Sequence, residues 1–230
     1  MLDVKDLVVS YGQSEALHGI SFHARPNETV AIMGRNGMGK TTLFKALMGV
    51  LPAKAGSIAL EGVDLTRRES YQRVASGLAY VPQGRQIFSS LSVEENIRTG
   101  MEGSPSGSKI PEDIYRLFPV LKEMRHRKGG NLSGGQQQQL AIARALVSEP
   151  KVLLLDEPTE GIQPSVIKDI ARALIEIRTV RGITIVVSEQ VLSFAMEVAD
   201  RLFVIEGGHL VHESHRDSID AERVKQFLSV

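Results

Sequence analysis

The chain has 230 residues, of which 42% are hydrophobic and 23% charged, as is usual for a globular protein with a sizeable core. Its 27 basic residues equal its 27 acidic residues in number, so no excess of positive charge indicates a nucleic acid as partner. The sequence contains no cysteine, which excludes disulfides and thiolate metal sites. It has neither an apolar run long enough to cross a bilayer nor a secretory signal, so we expect a soluble cytosolic α/β protein.

The β-strands are predicted from short apolar or alternating segments. These segments lie at 2–10, 28–33, 57–62, 78–82, 152–155, 183–187 and 202–206. In the first sixty residues only turns separate them, which predicts a small antiparallel layer. The later segments alternate with helical patterns, which favours a largely parallel main sheet.

A glycine-rich motif, GRNGMGKTT, lies between a predicted strand and a predicted helix and matches GxxxxGK[ST]. Its glycines allow backbone N–H groups to turn inward onto phosphate oxygens, and the helix N-terminus adds partial positive charge. Lys40 would reach the β- and γ-phosphates, and Thr41 would ligate Mg²⁺. The predicted phosphate site consists of Gly34, Arg35, Asn36, Gly37, Met38, Gly39, Lys40, Thr41 and Thr42.

Residues 84–150 contain no predicted strand and are interpreted as a helical lobe inserted into the α/β domain. Ser92 and Glu95 form a capping-box pattern, and the stretch 102–109 is predicted to be a loop. One apolar stripe predicts a further helix, at Ile114, Leu117, Phe118 and Leu121.

The lobe ends with NLSGGQQQQLAIARALVSEP, at 131–150, in which four consecutive glutamines suggest a disordered polar run. The apolar spacing that follows favours a helix instead, with Ser133 at its start and Pro150 just beyond its end. We therefore expect the glutamines to lie in the first turns of a helix whose N-terminal amides point at a ligand.

An acidic pair follows a buried strand in KVLLLDEP. Asp156 lies at the carboxyl end of that strand, where open α/β sheets bind ligands, and would hold Mg²⁺ through water. Glu157 could polarise an attacking water. Together with the phosphate loop, this pair predicts nucleoside triphosphate hydrolysis, and the absence of an N-K-x-D motif argues against a guanine nucleotide. The following stretch predicts a helix that begins at Pro164 and stops at Gly182.

Over essentially its whole length the chain resembles the ATP-binding subunits of ABC transporters, whose signature LSGGQ occupies Leu132–Gln136. The resemblance implies an α/β P-loop NTPase fold, with a RecA-like parallel sheet core, an N-terminal antiparallel β layer and an inserted helical lobe. It implies a single domain in which 1–83 and 151–212 form the nucleotide-binding core, 84–150 the lobe and 213–230 a C-terminal helix.

The resemblance also implies roles for individual residues, with ATP and Mg²⁺ as ligands. Tyr11 would stack on adenine, and Gln83 would sense Mg²⁺ and link to the lobe. In a head-to-tail dimer, the signature would close over the γ-phosphate held by Lys40 of the second copy, through Ser133, Gly134, Gly135 and Gln136. The implied catalytic residues are Glu157, Lys40 and Gln190, and the implied metal contacts are Thr41, Gln83 and Asp156.

Two departures from the family pattern leave alternatives open. Gln163 stands where an aspartate is usual and Gln190 where a histidine is typical, which would suit a nucleotide-gated binding module with little turnover. A soluble non-transport ABC ATPase is a further alternative, although such proteins usually carry coiled-coil insertions or two fused cassettes. Glutamine at the position of Gln190 is also common in the importer branch for branched-chain amino acids and urea, whose members hydrolyse ATP.

Within that branch, the stretches 110–146 and 153–170 are similar to the urea-transport ATPase more than to the amino-acid ones. This implies an ATPase peripheral to the cytoplasmic face of the inner (cell) membrane, paired with itself or a paralogous ATPase beneath two transmembrane permease subunits. An extracytoplasmic solute-binding protein would be an indirect partner. Ile87, Phe88 and Leu91 are candidates for the permease-docking groove or, equally, for the core of the lobe.

Overall fold

The structure of the protein, a computed structural model, describes residues 1–102 and 109–228. Within these ranges the chain forms ten strands and nine α-helices. The strands are β1 (Leu2–Tyr11), β2 (Ser14–Ala24), β3 (Thr29–Met33), β4 (Ala55–Leu60), β5 (Val63–Asp64), β6 (Leu78–Val81), β7 (Val152–Asp156), β8 (Thr184–Glu189), β9 (Arg201–Glu206) and β10 (His209–His215). The helices are α1 (Lys40–Leu47), α2 (Ser70–Ala75), α3 (Val93–Thr99), α4 (Glu112–Leu117), α5 (Pro119–Glu123), α6 (Gly134–Leu146), α7 (Pro164–Arg181), α8 (Leu192–Val198) and α9 (Ala221–Leu228).

The larger sheet has six strands in the order β10-β9-β3-β8-β7-β6. Five of them run parallel, and β10 pairs antiparallel at one edge. The parallel register sets Met33 opposite Glu189 and Asp156 opposite Ser188. The residues that follow β3, β7 and β8 therefore converge at one edge of the sheet, where ligands bind in open α/β folds.

The smaller sheet is antiparallel, in the order β2-β1-β4-β5, as the first sixty residues predicted. The sequence patterns did not reveal β2. Its alternation is interrupted at Gly19, which has a φ of 73° and lies at a shift in the pairing with β1. A β-bulge of this kind moves the following side chains out of strict alternation.

Two hydrophobic cores lie on the two faces of the larger sheet. In β7, Leu153 and Leu155 face one core together with helices of the lobe and α7. Val152 and Leu154 face the other, which includes α1 and the antiparallel sheet. Because both faces of β7 are covered, its apolar run is continuous rather than alternating.

A buried arginine joins α2 to the end of α1. Arg73 is 2% exposed, and its guanidinium donates to the carbonyl oxygens of Ala46 at 2.7 Å and Leu47 at 2.8 Å. It also donates to the carbonyl oxygens of Arg68 at 2.9 Å and Thr66 at 3.0 Å. The positive charge thus lies at the C-terminus of α1, where a helix dipole favours cations.

Between β6 and β7 the described residues form helices α3–α6 and no strand beyond an isolated bridge. Ser92 caps α3 reciprocally with Glu95, as predicted. Positions 103–108 of the predicted loop 102–109 lie outside the described residues. The division into core, lobe and C-terminal segment stays a prediction, and within 213–230 the helix α9 begins only at Ala221. Across 1–102 and 109–228, no helix is long and apolar enough to cross a membrane.

Candidate nucleotide-binding and hydrolysis site

The glycine-rich loop connects β3 to α1 and wraps around the side chain of Lys40. Lys40 Nζ donates to the carbonyl oxygens of Gly34 at 2.6 Å and Arg35 at 2.9 Å. Gly39 has a φ of 109°, and a Cβ there would stand 2.8 Å from Leu17 Cδ2. Glycine at this position therefore permits both the left-handed turn and the close approach of the antiparallel sheet.

Glu157 is the ion-pair partner of Lys40 in the site. It follows β7 directly, has a φ of 47°, and its amide donates to Ser188 Oγ at 3.1 Å. Its Oε1 lies 2.9 Å from Lys40 Nζ, with both side chains buried. Gln190 Nε2 donates to Glu157 Oε2 at 2.9 Å and to Asn36 Oδ1 at 2.8 Å.

Gln83 approaches the same carboxylate from the loop after β6. Its Nε2 lies 3.5 Å from Glu157 Oε2 and 3.1 Å from Glu160 Oε2. The amide of Gln83 is therefore directed at two glutamates. The structure brings Lys40, Glu157, Gln190 and Gln83 together at the edge where the parallel strands end.

Asp156 ends β7 and is 1% exposed. Its carboxylate accepts hydrogen bonds from Ser188 Oγ at 2.6 Å and from Tyr80 OH at 3.2 Å, and the hydroxyl of Thr41 also favours its ionised form. Burial raises the pKa of Asp156, although these hydrogen bonds oppose the rise. Burial and the neighbouring Asp156 likewise raise the pKa of Tyr80.

The oxygens of Thr41 and Asp156 fit Mg²⁺. This ion prefers oxygen ligands and is usually held by one or two carboxylates together with substrate phosphates and water. No group of three or more His, Asp or Glu side chains suited to a metal occurs in the part of the chain that the structure describes. A site completed by nucleotide phosphates agrees with this sparse set of protein ligands.

Tyr11 lies at the end of β1, and half of its surface is exposed. Its hydroxyl is 3.4 Å from Thr42 Oγ1, at the first turn of α1. The ring is thus adjacent to the phosphate loop.

The signature begins helix α6 as predicted, and the glutamine run is helical. Ser133 Oγ accepts from the amide of Gln136 at 3.3 Å, and Gln136 Oε1 accepts from the amide of Ser133 at 2.9 Å. This reciprocal capping box was not predicted. A Cβ on Gly135 would stand 2.5 Å from Val166 Cγ1, so α6 packs closely on the start of α7. Among the described residues, no hydrogen bond or ion pair joins the signature to Lys40 or Glu157.

Sequence patterns missed Tyr80, Ser188 and Glu189. Glu189 is 2% exposed and accepts backbone amides of Thr159 at 3.0 Å and Gln190 at 2.9 Å. The one signal available was position, because Ser188 and Glu189 directly follow the strand predicted at 183–187, and the observed strand β8 includes both residues and neighbours the strand of Asp156. Only the register of the sheet shows that they meet the acidic pair.

The family described as ABC transporter matches residues 17–160, more than half of the chain. The chain belongs to this family. This ABC transporter subunit is 39% identical to the high-affinity branched-chain amino acid transport ATP-binding protein BraG of Pseudomonas aeruginosa, over 92% of this chain and 91% of that protein.

Two solved structures show the same fold. The structure of MJ1267, an ATP-binding cassette of an ABC transporter, matches with a TM-score of 0.87 and 28% identity, over 100% of this chain and 99% of that one. A dimeric post-hydrolysis structure of the cassette MJ0796 with ADP and Pi matches with a TM-score of 0.84 and 23% identity, over 95% and 100% of the two chains. The predicted α/β P-loop NTPase fold is confirmed, and the chain is an ABC transporter ATPase subunit that binds ATP.

Proposed function

We propose that this ATPase subunit hydrolyses MgATP at the Lys40–Glu157 site and thereby drives the uptake of a small polar solute. Branched-chain amino acids are the first candidate, because BraG, a transport ATPase for them, is similar over nearly the whole of both chains. Urea is the second candidate, supported by the resemblance of 110–146 and 153–170 to urea-transport ATPases. The convergence of Lys40, Glu157 and Gln190 within hydrogen-bond distance carries the hydrolytic part of the proposal.

Each side chain has one role in this proposal. Lys40 and the loop amides bind the β- and γ-phosphates, and Tyr11 stacks on the adenine. Glu157 accepts a proton from the attacking water, which Gln190 orients through its amide. The side-chain amide of Gln190 does not ionise near neutral pH. It therefore cannot take up and release a proton, unlike the histidine that is typical at this position.

Thr41 and Asp156 would hold Mg²⁺, with Gln83 as a further contact. When bound, the ion neutralises charge that develops on the transferred phosphoryl group. Tyr80 and Ser188 keep the Asp156 carboxylate in place by hydrogen bonds.

Two copies would close head to tail around ATP, with Ser133–Gln136 of one copy meeting the γ-phosphate bound by the other. In the first turn of α6 the amide of Gln136 donates to Ser133 Oγ, whereas the amides of Gly134 and Gly135 have no carbonyl partner inside the helix and suit an anion. Light scattering of Glu157→Gln should show a shift from one chain to two on addition of MgATP, and Lys40→Ala should show none. An unchanged mass would contradict closure of two identical copies and leave pairing with a paralogous ATPase.

An apolar groove offers a docking surface for a cytoplasmic segment of a permease subunit. The groove has a volume of about 1560 Å³. Half of the large apolar side chains that are exposed among the described residues line it: Val50, Val63, Tyr71, Val74 and Phe88. Of the predicted docking residues, Ile87 and Phe88 line the groove and Leu91 does not. Phe88 follows the Gln83 loop, so an occupant would touch the segment that reaches Glu157.

Uptake measurements would separate the two solutes. Cells in which the gene for this chain is deleted should lose high-affinity uptake of labelled leucine, and wild-type chain but not Lys40→Ala should restore it. Loss of urea uptake with normal leucine uptake would move the assignment to urea. Normal uptake of both would reject the two candidates and leave the ATPase assignment unaffected.

A further inference from the structure

Three consecutive left-handed residues follow Gln83. The φ angles are 76° at Gly84, 67° at Arg85 and 46° at Gln86, although residues other than glycine rarely adopt such values. Arg144 of α6 holds this backbone, because its Nη2 donates to the carbonyl oxygen of Gln86 at 2.9 Å and lies 3.4 Å from that of Arg85. The loop is therefore fastened to the helix that begins at the signature.

The side chain of Arg85 extends from this loop toward the segment after Glu157. Its Nη2 donates to the carbonyl oxygen of Glu160 at 2.9 Å. Its guanidinium nitrogens also lie 3.4 Å from the point where a Cβ on Gly134 would stand. Gln83 holds the other end of Glu160, since Gln83 Nε2 is 3.1 Å from Glu160 Oε2. Two residues of one loop thus hold the backbone and the side chain of Glu160.

Glu160 in turn closes the turn that Glu157 begins. The amide of Glu160 donates to the carbonyl oxygen of Glu157 at 3.2 Å. A displacement of Glu160 relative to β7 would therefore reorient the backbone that carries the Glu157 carboxylate. Sub-ångström placement of such a group matters, because a misplacement of about 1 Å costs roughly a hundredfold in rate.

We infer that Arg85 is a positioning residue for Glu157. It ties the turn 157–160 to the loop 83–86, and so makes the orientation of the Glu157 carboxylate depend on the position of α6. The inference rests on the proposed role of Glu157 in hydrolysis. The planar fork of arginine suits this link, because one guanidinium can donate to a carbonyl while it packs against the start of α6.

The test compares variants at position 85 in the full chain. Asparagine tolerates a left-handed backbone but is too short to reach Glu160, so Arg85→Asn removes the link with little strain. We expect kcat for ATP hydrolysis to fall by about tenfold or more, with the KM for ATP and the midpoint of thermal unfolding unchanged. Arg85→Lys should recover part of kcat. Arg223→Gln, which removes an exposed arginine of α9, should match the wild type.

A wild-type kcat in Arg85→Asn, measured beside a reduced kcat in Gln83→Ala, would overturn the role of Arg85 and leave that of Glu157 intact. A raised KM or a lowered unfolding midpoint in proportion to the lost activity would also overturn it, since Arg85 would then support nucleotide binding or the fold. Glu157→Gln distinguishes failure of the Arg85 role from failure of the proposed function. Wild-type hydrolysis in Glu157→Gln would reject the proposed function itself.

Discussion

Lys40 Nζ lies 2.9 Å from Glu157 Oε1, and the two side chains are 3% and 6% exposed. The ammonium also donates to two carbonyls of the glycine-rich loop, and the carboxylate accepts from Gln190. A γ-phosphate that approaches Lys40 therefore competes with Glu157 for the same ammonium. Binding of nucleotide at Lys40 would therefore release the Glu157 carboxylate, the proposed base, from its ion pair.

Lys40→Ala should lose high-affinity ATP binding and also destabilise the fold. Removal of one partner from a buried ion pair leaves the other charge uncompensated, which costs about 3–5 kcal/mol. Equilibrium titration with ATP and urea-induced unfolding would measure the two effects. In Lys40→Ala/Glu157→Gln the free energy of unfolding should recover in part, whereas ATP affinity should not. Near-normal ATP affinity in Lys40→Ala would contradict the phosphate-loop assignment.

Glu189 should make stability depend on pH. Its burial raises its pKa in the folded protein, despite backbone hydrogen bonds that oppose the rise. The folded state then binds a proton more tightly than the unfolded state, so this contribution to stability is complete below the unfolded pKa of about 4.3 and is lost as pH rises through the higher folded pKa. Relative to Glu189→Gln, the wild type should lose free energy of unfolding as the pH rises above the unfolded pKa of about 4.3.

Urea unfolding of both proteins at several pH values measures that difference. The raised pKa of Asp156 is common to wild type and variant and cancels in the comparison. Glu206→Gln, at the exposed end of β9, serves as the matched control for removal of a carboxylate. A difference that stays constant or grows with pH would refute the raised pKa of Glu189.

Gln190→His should introduce an ionisation into the rate of hydrolysis. The wild-type side chain does not titrate, whereas the introduced imidazole would stand beside the Glu157 carboxylate, which accepts from Gln190 Nε2 at 2.9 Å. A neighbouring carboxylate favours the imidazolium, so the new ionisation should lie above the ordinary value of about 6.5. Phosphate release across pH 5.5–8.5 would detect it, with Gln13→His as control. An unchanged profile in Gln190→His would argue against contact with the reacting groups.

Arg73→Met should destabilise the protein by about 3–5 kcal/mol, because two buried and two partly buried carbonyl oxygens lose their donor. Two of these carbonyls end α1, whose first residue is Lys40. Chemical unfolding measures the loss, and the exposed Arg67→Met provides the control for removal of a positive charge. A loss below about 1 kcal/mol would show that water replaces the guanidinium at these carbonyls.

The phosphate loop and the acidic pair could be predicted from sequence because their residues are contiguous and their chemistry depends on the backbone turn that they form. Gln83, Tyr11 and Gln190 required the family resemblance, since a single glutamine or tyrosine has no local pattern. Tyr80 and Ser188 lie on buried strands and look like core positions. Their contacts with Asp156 depend on a parallel register between segments 76 and 32 residues away, which local periodicity does not contain.

The close packing of Gly135 on Val166 affects how genetic lesions in the signature are to be interpreted. An alanine at 135 would push α6 away from α7. The phenotype of such a variant would reflect the lost helix packing as well as any hindrance of the backbone amide that is proposed to bind the ligand. The same methyl group at Gly134 meets only the end of a flexible arginine side chain. Alleles at 134 therefore report on ligand contact, whereas alleles at 135 also report on the packing of α6 against α7.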